Sequence, residues 1–179
     1  MPGLPIERLP ESSRVWIFGA STALNDDQSA RLLGVVDEFL AGWSAHGTQL
    51  DGARELLEGR FLIVAVDPGA NPSGCSIDRL FATLQPLERE LSISLLDSGR
   101  IFFRDGSGAI HSVDRAAFRE LARSGEISGS TPVFDTTIER LADLRSNHLE
   151  RRASDSWHAR AFTIAEHEPA VRQTTERAR

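Results

Sequence analysis

The chain has no lysine and no tyrosine, and only one cysteine and one methionine among its 179 residues. Each shortage excludes something. All 20 basic residues are arginine, which cannot act as a Schiff-base amine or a tunable general base. Without lysine there is no standard phosphate-binding P-loop, whose lysine reaches the phosphates. A single cysteine, Cys75, cannot close an internal disulfide, so a reducing compartment is expected. No stretch approaches the roughly 20 apolar residues of a membrane helix. Residues 1–10 hold prolines but no apolar run, unlike a signal peptide. The formal net charge of −6 argues against a nucleic-acid or anionic-membrane surface. The expectation is a cytoplasmic protein without membrane insertion. Residues 1–164 would form a single α+β domain, and 165–179, polar and without apolar periodicity, a frayed tail.

What is present reads as alternating strands and helices. Residues 14–18 (Arg-Val-Trp-Ile-Phe) and 61–66 (Phe-Leu-Ile-Val-Ala-Val) are continuous apolar runs, the pattern of strands covered on both faces. Between them, Asn25 with Gln28 three residues on reads as a capping box, with Asp26 and Asp27 in the first turn. Leu32, Leu33, Val36, Phe39, Leu40 and Trp43 follow at helical spacing, and His46-Gly47 reads as the helix end. Residues 48–57 are mixed, as an edge strand would be, before a turn at Glu58-Gly59.

A second helix begins at Ser73 or Ser76 and carries Ile77, Leu80, Phe81, Leu84 and Leu87, with Pro86 expected to kink or shorten it. Residues 101–104 and 109–113 read as a hairpin around Asp105-Gly106-Ser107-Gly108. Asp114 caps a short helix ending near Gly125, residues 132–134 form a strand, and Thr136 with Glu139 reads as a second capping box. The order β-α-β-β-α-β is that of a ferredoxin-like split βαβ core, extended by a hairpin strand and C-terminal helices. In that fold the first and third strands are neighbours at the centre of the sheet.

The candidate chemistry centres on Ser73-Gly74-Cys75-Ser76-Ile77-Asp78. A thiol at a helix N-terminus sits where the positive helix end favours thiolate. The alternative is a small residue filling a tight turn, because free cysteine is often buried. In the split βαβ topology the loop with His46 lies at the same end of the sheet as Cys75. His46 is therefore a candidate base, or simply a cap of its helix. Asp78 either stabilises the helix dipole or orients His46. Asp155-Ser156-Trp157-His158 holds all three triad residue types, but triads assemble from separate segments, and the trio reads as a turn on which Trp157 packs. The five histidines have no metal-ligand spacing, so no metal and no cofactor is expected. Gly19-Ala20-Ser21 lacks the full dinucleotide fingerprint, and Asp26 and Asp27 would repel a phosphate there.

Several segments together resemble a small bacterial protein family: 14–18, Trp43-Ser44-Ala45-His46-Gly47, 60–67, Ser73-Gly74-Cys75-Ser76-Ile77-Asp78, Thr131-Pro132-Val133-Phe134-Asp135 and Asp155-Ser156-Trp157-His158. The resemblance spans about residues 14–160, and none of its motifs is diagnostic of a known chemistry. Members are often labelled ABC transporter ATPase, a label at odds with a chain that has no P-loop and no lysine. The resemblance implies a role for the Ala-His-Gly and Gly-Cys-Ser-Ile-Asp segments together. The functional expectation is a non-catalytic module binding a small ligand, a protein partner or a second copy of itself. The alternative is a thiol enzyme of the hydrolase or acyl-transfer type, with Cys75 as nucleophile, His46 as base and Asp78 as orienter.

Overall fold

The structure is a computed structural model and describes residues 5–70, 72–146 and 148–164. The tail expected at 165–179 lies outside the described residues. The elements are β1 (Arg14–Gly19), α1 (Asp26–Ala41), β2 (Ser44–Ala45), β3 (Thr48–Gln49), β4 (Gly52–Leu57), β5 (Phe61–Val66), α2 (Gly74–Glu90), β6 (Ile101–Arg104), β7 (Ile110–Val113), α3 (Arg115–Ser124), β8 (Pro132–Phe134), α4 (Leu141–Arg145), β9 (Glu150–Arg152) and α5 (Trp157–Phe162). Mixed α+β composition is thus as the sequence indicated.

Two antiparallel sheets and a small hairpin organise the molecule. The first sheet has the order β1-β5-β4, so the first long strand and Phe61–Val66 are neighbours. The second has the order β7-β6-β8-β9. Here the structure departs from the expected four-stranded core: β6 does not join β1 but pairs with β7 and β8. The outer edge of β1 instead carries one isolated bridge, Arg14 to Arg140, in which the Val15 N–H donates to the Glu139 carbonyl at 2.9 Å.

Side-chain alternation explains why the sheets stack. On β1 and β5, Phe18, Leu62, Val64 and Val66 face one way, into a core shared with Leu32, Val36 and Leu40 of α1 and Leu80, Leu84 and Leu87 of α2. Val15, Ile17, Phe61, Ile63 and Ala65 face the other way and pack on Phe102 and Phe134 of the second sheet. The Phe61 and Phe134 rings stack with centroids 4.7 Å apart. The far side of the second sheet, Ile101, Phe103 and Val133, closes against Phe118 of α3 and Phe162 of α5. The layers therefore run helix, sheet, sheet, helix, and β5 is apolar at all six positions because both its faces are covered, one by helices and one by a sheet. Gly19 is required at this junction, since a Cβ there would overlap the Phe102 ring.

Local expectations are met unevenly. Asn25 and Gln28 make the reciprocal capping box, at 2.8 and 3.0 Å, Ser73 caps α2, and Asp114 and a left-handed Gly125 bound α3. α2 is not shortened by Pro86 but continues to Glu90. Glu88 lies beyond that proline, and its carboxylate accepts the N–H groups of Leu95 and Leu96 at 2.7 and 2.8 Å, which anchors the last turn. α1 ends at Ala41, not at His46-Gly47. Those two residues form the turn of the β2–β3 hairpin, both with positive φ (50° and 79°), the backbone of a two-residue type I′ turn. Thr136 and Glu139 cap no helix, because α4 starts only at Leu141. Asp135 holds that segment as a turn by accepting from the Thr137 N–H and hydroxyl.

Candidate functional site

Cys75 stands at the second position of α2, exposed, whereas Asp78, exposed as well, lies beyond the first turn, which holds no acidic residue, so it is not placed to stabilise the helix N-terminus as the sequence suggested. His46 is exposed at the hairpin tip. The hairpin base and the helix start do meet: the buried Trp43 indole donates to the Ser76 carbonyl at 2.9 Å. The segments carrying Cys75 and His46 thus lie at one end of the first sheet. Among the described residues, however, no hydrogen bond joins the Cys75 thiol, the His46 ring and the Asp78 carboxylate.

The Asp155–His158 segment is a 3₁₀ turn leading into α5. The Ser156 hydroxyl and His158 Nδ1 are 2.8 Å apart, and Trp157 stacks on the imidazole at 3.9 Å and donates to Asp135. His158 is 1 % exposed, and its Nε2 has no hydrogen-bond partner among the described residues. Burial, reinforced by Arg115 and opposed by Asp135, pushes its pKa down to about 4. A neutral, weakly basic imidazole with no carboxylate on its other nitrogen orients no serine for attack. The neighbouring hollow of about 720 Å³ is lined only by residues between 154 and 161, a single segment without an opposing wall.

Two cavities lie at the edges of the sheet stack. One, of about 280 Å³, runs along the outer edge of β1 between Phe81, Leu95 and Thr136. It falls just short of the roughly 300–1,000 Å³ usual for ligand pockets. The other, of about 570 Å³, opens at the β4 side of the gap between the sheets. Its apolar surface comes from Leu57 of β4, Phe134 of β8, Leu141 and Leu144 of α4, and Leu149.

Four carboxylates rim this second cavity: Glu7, Glu55, Glu58 and Glu150. Arg104 neutralises two of them, binding Glu150 through both oxygens at 2.6 and 2.9 Å and Glu58 at 3.3 Å. Arg145 also lines the cavity, but its Nη2 donates to the carbonyls of Ile6, Glu7 and Leu9. Among the described residues Glu7 and Glu55 have no ion pair and no side-chain hydrogen bond. Partial burial, then repulsion from Glu7, pushes the Glu55 carboxyl above the usual Glu range. The arrangement is a pocket of ligand size with apolar walls and few convergent polar groups.

No family model, curated protein or solved structure matches the chain. Glu7 and Glu55 belong to none of the sequence motifs described above. A signal was present, because Glu55 shares its strand parity with Ala53 and Leu57, which face the second sheet. Reading it required knowing that a second sheet covers that face.

Proposed function

We propose that this chain is a non-catalytic binding module whose ligand site is the inter-sheet cavity beside β4. The observation that supports the reading is the 570 Å³ volume with leucine and phenylalanine walls reaching into the core between the sheets. The sheet order β1-β5-β4, with α1 and α2 on one face, supports treating the first layer pair as half of a ferredoxin-like split βαβ unit. The resemblance to the small bacterial family belongs to this proposal, and so does the absence of ATPase activity: with no lysine to reach the phosphates, purified protein is expected to show no magnesium-dependent ATP hydrolysis. Neutral n-hexanol titrated into methyl-labelled protein tests the site. Saturable NMR shifts are expected at Leu57, Leu141, Leu144 and Leu149; shifts confined to other leucines, or none, would overturn it.

The exposure of Cys75 favours a second reading, a thiol enzyme with His46 as base and Asp78 as orienter. The pH dependence of Cys75 alkylation decides it. A thiol that reacts well below the ordinary cysteine range, near 8.5, and loses that reactivity in His46→Ala supports the enzyme. Alkylation only above that range, with no effect of the substitution, excludes it.

A further inference from the structure

The inter-sheet cavity carries an electrostatic mismatch that states what should occupy it. Its four carboxylates stand against two guanidinium groups, Arg104, which pairs with Glu58 and Glu150, and Arg145, which pairs with none of them, so negative charge is in surplus. The guanidinium of Arg145 is engaged by three backbone carbonyls. Glu7 and Glu55 line the same apolar hollow without an ion pair, and repulsion from Glu7 adds to burial in holding the Glu55 carboxyl above its usual range. Glu55 is partly buried and unpaired, and burying part of a carboxylate costs free energy that a cation would offset, while exposed Glu7 adds negative charge beside it. An inorganic ion would leave the leucine and phenylalanine walls bare, and an anion would be repelled.

We infer that the cavity binds an organic cation on an apolar stem, an alkylammonium or guanidinium group seated between Glu7 and Glu55 with its chain against Leu57, Leu141, Leu144 and Leu149. The inference rests on the binding-module reading and adds the chemical class of the ligand. The ammonium donates charge-assisted hydrogen bonds to both carboxylates and the stem leaves water, so the two contributions act together. The raised Glu55 pKa fits this reading: burial and the nearby Glu7 disfavour its charge, and an adjacent cation would favour it.

The test uses three probes of equal length, n-hexylammonium, n-hexanol and hexanoate, titrated separately into the full chain at neutral pH and read on the cavity leucine methyls. Hexylammonium is expected to bind about tenfold or more tightly than hexanol, the size of one charge-assisted hydrogen bond, with hexanoate weakest. Glu55→Gln keeps the shape and should abolish the preference for the amine. Glu7→Gln, at an exposed position, should reduce it and serves if the first variant does not fold. Equal affinity for amine and alcohol at the same methyls would overturn the cation while leaving the cavity as a binding site. Silence from all three probes at those methyls would overturn the cavity reading and this inference with it. A preference for the amine that survives both substitutions would place the cation elsewhere and also overturn the inference.

Discussion

His158 shows what a single buried residue costs and when. In the unfolded chain an imidazole takes its proton near pH 6.5, whereas in the fold burial holds that event down at about 4. Between these values the unfolded state binds more protons, so the contribution to stability is complete above about pH 6.5 and is lost as pH falls toward 4. At about 1.4 kcal/mol per pH unit of difference, the loss is at most about 3 kcal/mol. His158→Phe suits a site walled by Phe118, Trp157 and Phe162. Thermal melts from pH 7 to 4.5 should show a shallower acid decline in that variant; identical slopes would contradict the assignment. Trp43 makes a sharper structural statement. Trp43→Phe keeps an aromatic ring but deletes the bond to the Ser76 carbonyl, at a cost of about 1–2 kcal/mol. For a chain of this size that lowers the melting temperature by roughly 2–8 °C. The sequence showed Trp43 as a core residue by spacing alone; its polar bond to α2 depended on a hairpin that spacing could not reveal, because the turn rests on His46 adopting a positive φ.

At the scale of elements, the contact that fixes the layering is Gly19 against Phe102. Gly19→Ala places a methyl group where the ring now lies, and Phe102 is itself buried at 2 % exposure, so the ring has little room to yield. The expected penalty is about 1–3 kcal/mol, the usual range for overpacking a core. Gly19→Ala combined with Phe102→Leu should cost less than the sum of the two single changes, because the smaller side chain relieves the clash. Strict additivity in denaturant unfolding would show that the two residues do not meet. The strands themselves were legible: β1, β5, β6 and β8 announced themselves as apolar runs, and Asn25, Ser73 and Asp114 marked the helix starts. Sheet membership was not. Residues 101–104 have the same pattern whether they extend the first sheet or found a second, since pattern reports which faces are covered and not by what. The segment 135–140 failed for a different reason. Its Thr136-x-x-Glu139 spacing mimics a capping box, but the Asp135 carboxylate folds the segment into a local turn through the Thr137 N–H and hydroxyl, and the helix starts only at Leu141.

For the whole molecule, stacking two sheets between two helical layers leaves the edge of the inter-sheet gap as the place where apolar surface reaches solvent. Arg60 seals the gap at the β5 end, donating to the carbonyls of Ala20, Ser21 and Ile110 and so tying both sheets together from a buried position. At the β4 side α4 and the segment around Ile6 stand over the opening without filling it, and the cavity remains with Glu7 and Glu55 at its mouth. The candidate site was the least legible part of the sequence, because its walls come from five segments between residues 6 and 150 whose meeting depends on the second sheet. The central claim is that this mouth is a cation site, and the titration of the Glu55 carboxyl, followed by carbon-detected NMR with and without n-hexylammonium, tests it most directly. Glu55 in the free protein is expected to titrate above the ordinary value of about 4.3 for glutamate, and saturating amine to move it downward, as an opposite charge within reach must. A Glu55 pKa that is the same with and without the amine would contradict it.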